Sequence, residues 1–372
     1  MIEGKINVLH LLLSLETGGM ERFVYEHCLE MDKEKFNVSV CCIDRLGGFC
    51  QSLVENGIKV NLLQKNQGHF DWFYPNKLKK YLKNNNIHIL HIHSGAFFYG
   101  SVAGFLARTP GIIYTEHGRH LVEPKIIFIL DKISSMFTDR IVTVSPDLEK
   151  HLIDNIKLPP NKIETIINGV NTNSFVPRGK SITLLAEFGI KSEFKIIGAI
   201  GRLAHIKDHT TLIKAFKIVA EKIPESRLLL VGEGPCEQEL KDLSKELGVF
   251  ESVVFAGNRS DIPEILNLLN VFVLPSLSEG TSLSLLEAMS SGVPPVVTNV
   301  GGNPNIIKHD YNGYLVEPKD FKQMASIIIH VLNNDEISKK LKKNSRESVQ
   351  DDYSLRNNVE EYEKLYLDLL KR

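Results

Sequence analysis

Two carboxylates eight positions apart, Glu279 and Glu287, are the residues of this 372-residue chain whose types and spacing most clearly suggest chemistry. A predicted strand ends at Leu274, and the segment after it has the composition of a helix whose first turn Ser282 or Ser284 can cap. Glu279 is therefore predicted in a loop and Glu287 about one turn inside the helix. A helix N-terminus offers unpaired N–H groups and the positive end of the helix dipole. The pattern thus predicts a diphosphate between two carboxylates that bind hydroxyl groups, although such a spacing is also common on solvated helix faces.

Two cations, Arg202 and Lys207, follow another predicted strand at residues 195–200. Cations fixed at the carboxyl end of a strand can stabilise the negative charge that develops on a departing diphosphate. Taken alone, both could equally be ordinary surface residues. The chain contains no Asp-x-Asp pair, so we expect no acidic clamp and no metal ion at the site.

Gly18 and Gly19 follow the first predicted strand and open the first helix, and His117 lies just past the end of a later strand. Glycine lets a backbone approach a ligand closely, but a plain strand-to-helix turn also uses it. A single histidine is often a structural hydrogen-bonding residue. By themselves these positions leave a binding role and a structural role open.

Taken together, these segments resemble the retaining glycosyltransferases of family 4, which are enzymes of the GT-B fold. The resemblance covers nearly the whole chain and preserves the order of its motifs. It is carried by the Glu-x7-Glu spacing with its neighbours Ala288, Met289, Ser291, Gly292 and Pro294, by Gly201-Arg202-Leu203 with Lys207, by Gly18-Gly19 and by His117.

The resemblance implies a role for each site residue. Arg202 and Lys207 would stabilise the departing nucleoside diphosphate. Glu279 and His117 would bind the transferred sugar, and Glu287 would hold the ribose hydroxyls of the nucleotide. The other residues that the resemblance assigns to the donor are Gly18, Gly19, Thr281, Ser282 and Leu283.

The implied function is that of a metal-independent retaining hexosyltransferase without a cofactor. It would move a sugar from a nucleotide sugar to a hydroxyl group of a sugar or lipid-linked acceptor, in the synthesis of a polysaccharide, a glycolipid or a small-molecule glycoside. The diphosphate would leave, and the acceptor would attack the oxocarbenium-like sugar from the same face. Two alternatives stay open: a nucleotide-sugar epimerase of the same architecture, and a non-catalytic protein that binds nucleotide sugars.

Three residues depart from the family pattern. Gly118 follows His117 where many members have Asp, which argues against the pair acting as a unit. Asn171 stands where the family has Asp, and Asn305 stands where the family's Gly-Gly loop usually ends in Glu. The role of that glutamate is therefore not carried over to Asn305. The backbone N–H groups of the Gly301-Gly302 loop are still expected to be able to bind sugar hydroxyls.

Composition narrows the function classes and the compartment. The chain has 44 Lys and Arg against 45 Asp and Glu, which argues against a nucleic-acid partner. Its five cysteines lack metal-ligand spacing and are expected to be buried, small apolar residues in a reducing cytosol. No apolar run is long enough to cross a membrane, and the N-terminal run fits a first strand better than a signal peptide. We therefore expect a cytoplasmic protein.

The segment 70–83 combines aromatic residues with four lysines. It leaves open a peripheral contact of the N-terminal domain with the inner face of a membrane. Its aromatic residues are nevertheless expected to pack into the core.

Short apolar runs alternate with helical patterns along the whole chain, which predicts an α/β protein with doubly wound, parallel sheets. The length predicts two Rossmann-like domains with a cleft between them. We expect an acceptor-side domain at 1–175, a nucleotide-sugar-binding domain at 176–352 and a C-terminal helix at 353–372, with the boundary in the turn-rich segment 168–191. That helix resembles the one that returns to the first domain in this family. Strands are predicted at 6–13, 38–43, 59–63, 87–92, 112–115, 140–144, 163–167, 195–200, 227–231, 253–256, 271–274 and 295–298, and the clearest helices at 21–31, 50–56, 76–83, 147–155, 209–221, 237–247, 262–269, 284–290, 321–332 and 352–372.

Two further patterns are given no function. Gly232-Glu233-Gly234 follows a strand but lacks the third glycine of a dinucleotide site. His88, His91 and His93 alternate along a strand, and the last two share a face, where packing or hydrogen bonding is favoured over metal binding.

Overall fold

The computed structural model of the protein describes residues 4–16, 18–66, 70–118 and 124–371. Within these residues the chain forms two compact units. Unit 1 contains the residues up to Gly169 together with those from Leu355 onwards, and unit 2 is Val170–Ser354. The division therefore falls at residue 169, a few positions before the expected 175.

Each unit has one parallel sheet. The strands are, in chain order, β1 Ile6–Leu12, β2 Phe36–Cys42, β3 Lys59–Leu62, β4 Ile89–His93, β5 Gly111–Glu116, β6 Arg140–Thr143, β7 Ile163–Thr165, β8 Lys195–Ile200, β9 Ser226–Val231, β10 Val253–Phe255, β11 Val271–Leu274, β12 Pro295–Thr298 and β13 Tyr314–Val316. The sheet of unit 1 has the order β3-β2-β1-β4-β5-β6-β7, and that of unit 2 has the order β10-β9-β8-β11-β12-β13. Two Rossmann-like α/β units confirm the predicted fold class.

Helices connect the strands. They are α1 Gly19–Glu30, α2 Phe49–Glu55, α3 Tyr74–Asn84, α4 Phe97–Ala107, α5 Lys125–Met136, α6 Pro146–His151, α7 Ile182–Glu187, α8 His209–Lys222, α9 Glu237–Glu246, α10 Ile262–Leu266, α11 Leu283–Ser290, α12 Asn303–Ile306, α13 Phe321–Asn333, α14 Asp335–Asp352 and α15 Leu355–Leu370. Side chains that cap helices mark several of the starts, because they accept a hydrogen bond from an otherwise unpaired N–H group. These caps are Ser145, Ser181, Asp208, Ser282, Asp320 and Asn334.

The two faces of the sheet in unit 1 are covered by different helices. Leu9 and Leu11 of β1 pack in one core with Tyr74 and Leu78 of α3. On the opposite face, His91 of β4 contacts α15. Because the central strands are buried on both sides, their sequences consist mainly of apolar residues.

The last helix, α15, packs within unit 1. The side-chain amide of Asn358 donates to the carbonyl of Ile167 at 2.7 Å, and its oxygen lies 2.6 Å from Nε2 of His27. The Glu363 carboxylate accepts a hydrogen bond from the N–H of Asp32 at 2.7 Å. The final helix begins at Leu355 rather than at 352, because the residues up to Asp352 belong to α14.

Several elements were not recognised in the sequence: α4, α5, α7, α12, α14 and β13. The segment 168–191, predicted as a linker, contains α7, which Ser181 caps. The expectation that the aromatic residues of 70–83 pack into the core was wrong for Trp72 and Phe73, which are 69% and 81% exposed, whereas Tyr74 is buried.

The five cysteines are free and buried, which confirms their predicted role as small core residues. Among the described residues, no helix has both the length and the hydropathy that a bilayer crossing requires.

Candidate functional site

The predicted residues of unit 2 follow two neighbouring strands at the centre of its sheet. Arg202 and Lys207 come after β8, and Glu279 and Glu287 come after β11, which pairs with β8. The sheet continues from β8 to β9 on one side and from β11 to β12 on the other, so the strand order reverses between β8 and β11. Ligands of open α/β sheets bind at such a switch point, outside the carboxyl ends of the strands.

Glu279 and Lys207 form an ion pair. The Nζ atom of Lys207 donates a hydrogen bond to Oε1 of Glu279 at 2.6 Å, and the hydroxyl of Ser276 donates to the same oxygen at 2.6 Å. The side chains of Lys207 and Glu279 are 25% and 8% exposed. Solvent and salt therefore screen this pair less than they screen a pair on the open surface.

Lys207 is placed by a tight turn. It ends the 3-10 turn His205–Lys207, and Asp208 follows in the left-handed conformation with a φ of 46°. The Asp208 carboxylate accepts hydrogen bonds from the N–H and the hydroxyl of Thr211 and so caps α8. Because the cap holds the turn against the helix, the backbone of Lys207 has a defined position before any ligand binds.

The loop that carries Glu279 is held from two sides. The N–H of Leu277 donates to the carbonyl of Ile206 at 2.8 Å, and the N–H of Gly302 donates to the carbonyl of Glu279 at 3.2 Å. Gly301 has a φ of +52°, and a Cβ atom there would lie 1.8 Å from the Glu279 carbonyl oxygen, so this position requires glycine. The N–H of Gly302, which we expected to be able to bind a sugar hydroxyl, instead positions Glu279.

Helix α11 begins as the sequence predicts. The hydroxyl of Ser282 accepts a hydrogen bond from the N–H of Leu285 at 3.4 Å, so Ser282 is the cap. Thr281 and Ser282 are buried, and Leu283 is half-buried at the first helical position. Glu287 is buried about one turn inside the helix. The two glutamates thus lie in the loop and in the helix, as predicted.

Arg202 differs from Lys207. It is exposed, and its guanidinium makes no hydrogen bond or ion pair with any residue that the structure describes. The turn that carries it packs tightly on a neighbouring loop, since a Cβ atom at Gly232 would lie 2.2 Å from the carbonyl oxygen of Gly201, and one at Gly234 would lie 2.3 Å from that of Leu203. The Gly232-Glu233-Gly234 segment therefore supports the Arg202 turn.

The candidates of unit 1 lie around the switch point of the other sheet, between β1 and β4. Gly18 and Gly19 follow β1, and His117 follows β5. Gly18 has an extended backbone with a φ of −166°, which any residue can adopt. A Cβ atom at Gly19 would meet no other atom of the described residues within 4 Å.

His117 ends a chain of three histidines. Its Nε2 atom lies 3.0 Å from Nδ1 of His93, and Nε2 of His93 lies 3.0 Å from Nδ1 of His10. Burial, assisted by the charge interaction with neighbouring histidines, lowers the pKa of His117 and of His10 to about 3. Each ring is therefore neutral near pH 7 and carries one N–H group. His93 must donate to one neighbour and accept from the other, so the proton positions on His10 and His117 are coupled.

The ring nitrogens of His10, His91 and His93 lie within 4.8 Å of one another, a spacing that a shared metal ion could use. Both nitrogens of His91 lie within hydrogen-bonding distance of hydroxyl groups, those of Tyr366 at 2.6 Å and Thr115 at 2.7 Å. Both nitrogens of His93 are likewise engaged by other histidines. This arrangement favours hydrogen bonding over metal binding.

Sequence reasoning missed the residues that support the site. Ser276, which binds Glu279, and His10, which ends the histidine chain, were not singled out. Parity could have found His10, because it lies directly opposite His91 in the parallel pair β1–β4. His88 instead pairs with the N–H of Asn7.

Two family models and several proteins of known sequence match this chain. The family model described as Glycosyltransferase Family 4 matches residues 17–174, and the model described as Glycosyl transferases group 1 matches residues 182–348. The N-acetyl-alpha-D-glucosaminyl L-malate synthase of Bacillus anthracis is 30% identical over 313 residues, which cover 81% of this chain and 80% of that protein. The UDP-Gal:alpha-D-GlcNAc-diphosphoundecaprenol alpha-1,3-galactosyltransferase of Escherichia coli is 26% identical over 381 residues, which cover 98% of each chain.

Solved structures share the fold. A glycosyltransferase from Rickettsia africae has a TM-score of 0.86 at 21% identity, with 99% of each chain covered. Anabaena Alr3699/HepE in complex with UDP and glucose has a TM-score of 0.86 at 20% identity, with 98% of this chain and 100% of that chain covered.

Proposed function

The chain belongs to glycosyltransferase family 4 and has the GT-B fold, and from this we propose that it is a retaining enzyme that moves a sugar from a nucleotide-sugar donor to a hydroxyl acceptor. The observation that carries the proposal is the ion pair of Lys207 and Glu279 at the switch point of unit 2. This pair supports the proposal because a cation suits a diphosphate and a neighbouring carboxylate suits sugar hydroxyls, the two groups that flank the cleaved bond of a nucleotide sugar.

In the proposed reaction, Arg202 and Lys207 stabilise the diphosphate as the bond to the anomeric carbon breaks. Glu279 orients the sugar while positive charge develops on its ring, and the acceptor hydroxyl attacks from the face that the diphosphate leaves. A donor phosphate oxygen accepts the acceptor's proton. Because preorganised charges cost no reorganisation at the moment of reaction, Lys207, which Glu279 holds in place, can supply much of the stabilisation.

Other residues are proposed to bind the donor. Thr281, Ser282 and Leu283 would present the N-terminus of α11 to the diphosphate, whose charge the helix dipole favours. Glu287 would bind the ribose hydroxyls. In unit 1, Gly18, Gly19 and His117 keep the donor-binding roles that the family resemblance implies.

We also propose that the reaction needs neither a metal ion nor a cofactor. Support comes from Arg202, whose charge is not compensated by any side chain of the described structure. A guanidinium can engage two phosphate oxygens at once, and it can therefore take the part that a divalent cation has in other transferases.

The acceptor is proposed to be a sugar or a lipid-linked sugar, and the compartment the cytoplasm. The Escherichia coli relative is named for a diphosphoundecaprenol-linked acceptor, and five free, buried cysteines suit a reducing compartment. Peripheral contact of unit 1 with the inner face of a membrane follows from such an acceptor. The exposed Trp72 and Phe73, together with the lysines of α3, support that contact.

The test is a panel of nucleotide sugars. A nucleotide sugar that raises the thermal unfolding temperature identifies the donor, because a ligand that binds only the folded state stabilises it by mass action. Transfer to an acceptor should then continue in excess chelator, and NMR of the product should show the anomeric configuration of the donor. Loss of turnover in chelator that magnesium restores would contradict metal independence, and an inverted product would contradict retention. Interconversion of the nucleotide sugar without acceptor would indicate the epimerase.

A further inference from the structure

Apart from its two exposed lysines, Lys125 and Lys132, helix α5 has its polar residues turned inward. Asp131, Ser134 and Ser135 are buried, whereas Ile126, Ile129, Ile133 and Met136 are exposed. The four apolar residues recur at intervals of three and four positions, so they form one stripe along the helix. An amphipathic helix of a water-soluble unit normally presents the opposite arrangement.

The inward serines are satisfied within the helix. The hydroxyl of Ser134 donates to the carbonyl of Leu130 at 2.7 Å, and that of Ser135 donates to the carbonyl of Lys132 at 2.8 Å. Lys162 donates to the carbonyl of Ser135 at 2.9 Å and so holds the C-terminal end of the helix. The orientation of α5 therefore leaves no inward hydroxyl unpaired, and the apolar stripe is a stable outer surface.

The stripe continues onto the neighbouring helix. Phe105 of α4 is exposed, and it lines a cavity of about 370 Å³ together with Met136 and Arg108. Phe105 also contacts Phe137, with the ring centroids 4.7 Å apart. We call Phe105, Ile126, Ile129, Ile133 and Met136 the α5 surface. Contiguous exposed apolar side chains of this kind mark an interaction site.

The distribution of charged residues in unit 1 indicates what kind of partner the α5 surface binds. The helices on the side of α5, which are α3 to α6 together with Arg108 and the adjoining turn 152–156, contain eight basic and four acidic residues, and of the acidic ones Asp131 is buried. Helices α1, α2 and α15, of which α1 and α15 cover the opposite face of the sheet, contain eight acidic and three basic residues. The whole chain is nearly neutral, so unit 1 is electrically polar, with its positive layer on the side of the α5 surface.

We infer that α5 inserts its apolar stripe into the surface of an anionic bilayer, with the lysines of α3 and α5 at the level of the lipid phosphates. Apolar residues flanked by lysine and arginine are the pattern of helices that lie in a membrane interface. A second copy of this chain would meet its own positive charge at the same surface, which opposes a symmetric dimer there. The inference rests on the proposed peripheral contact and assigns the inserted apolar residues to α5 rather than to the aromatic residues of 70–83.

A single tryptophan makes the test specific. Trp72 is the only tryptophan of the chain, so Trp72→Phe removes the native signal. Ile129→Trp in that background then reports on the α5 surface, and Val54→Trp on α2 is the matched control, because Ile129 and Val54 are 54% and 58% exposed. Vesicles of phosphatidylglycerol and phosphatidylcholine should shift the emission of Trp at 129 to shorter wavelength and leave that of Trp at 54 unchanged. Pure phosphatidylcholine vesicles should have little effect on either.

Vesicle co-sedimentation gives the complementary result. Ile126→Ser with Ile129→Ser and Met136→Ser should lower the bound fraction about tenfold, and Val54→Ser should leave it unchanged. Lys125→Gln with Lys132→Gln should weaken vesicle binding mainly at low salt.

Vesicle binding without an emission shift of Trp at 129 would overturn the assignment to α5, and absence of vesicle binding would overturn the membrane contact as well. Light scattering that shows a dimer dissolved by Ile129→Ser would instead identify a second copy as the partner. Sugar transfer to a soluble acceptor is measured separately and tests the proposed reaction alone.

Discussion

The Nζ atom of Lys207 lies 2.6 Å from Oε1 of Glu279, although the two residues are 72 positions apart in the chain. The cation proposed for the diphosphate is thus already neutralised by the carboxylate proposed for the sugar. An incoming diphosphate must share Lys207 with Glu279 or displace it. The two side chains consequently form one functional unit.

The first prediction concerns this unit. Lys207→Met and Glu279→Gln should each lower kcat by about 10²-fold, since each removes a preorganised group at the site. The double variant should lose little more than either single variant, because groups that act together are not additive. Steady-state kinetics with saturating donor give the three values.

Losses that multiply to about 10⁴-fold in the double variant would contradict a shared role. Ser276→Ala is a useful companion, since it removes the second donor to Oε1 of Glu279 and leaves both charges in place. It should have a smaller effect than either charge removal.

The second prediction is that substitution of Arg202 lowers turnover without changing the stability of the fold. Its side chain is exposed and has no partner among the described residues, so Arg202→Ala should change the free energy of unfolding by less than about 0.5 kcal/mol. Turnover should nevertheless fall about 10²-fold. Lys322→Ala on α13, which also removes an exposed cation, is the control and should leave both quantities unchanged. Normal turnover of Arg202→Ala would remove this residue from the site.

The strands other than β13, and most helices, could be predicted because parallel strands buried on both faces leave continuous apolar runs between amphipathic helices. Helix α5 lacks that signal, since Asp131, Ser134 and Ser135 face inward while four apolar residues are exposed. Helix α4 also lacks it, because it has no polar face: it consists of apolar and small residues with a single serine. In each case the pattern that reveals a helix depends on what its two sides contact, which is a property of the fold.

The elements that carry the candidate residues could be predicted from the sequence, but the contacts between those residues could not. Strand ends and a helix cap are local signals, and they located Lys207, Glu279 and Glu287 on the correct elements. Their pairing depends on β8 lying next to β11, an order that the chain reaches only after two intervening strands. The close approach that requires Gly301 likewise depends on tertiary packing.

The buried histidines predict a loss of stability in acid. Burial lowers the pKa of His27 from 6.5 to about 4, although its bond to Asn358 partly opposes the shift. The unfolded chain therefore binds a proton that folded His27 does not, and stability present above pH 6.5 is lost as the pH falls towards 4. His27→Gln should reduce the slope of the free energy of unfolding against pH by up to about 1.4 kcal/mol per pH unit.

Urea unfolding at several pH values between about 4 and 6.5 measures the slope of the free energy of unfolding against pH. A slope that is the same in His27→Gln and in the native chain would show that His27 is not held neutral by the fold.

Substitution of the two glutamates should change different kinetic parameters, because Glu279 and Glu287 are proposed to contact different parts of the donor. Glu287, buried in α11, is proposed to hold the ribose, far from the bond that breaks, so its contribution is the same in the ground state and the transition state. Glu287→Gln, which keeps the volume of the side chain, should mainly raise the donor KM. Glu279 is proposed to orient the sugar as charge develops, so Glu279→Gln should lower kcat and leave the affinity for the free nucleoside diphosphate nearly intact. Calorimetric titration of that diphosphate, alongside steady-state kinetics, decides between the two roles. If Glu279→Gln abolishes nucleotide binding while Glu287→Gln leaves it unchanged, the two assignments are reversed.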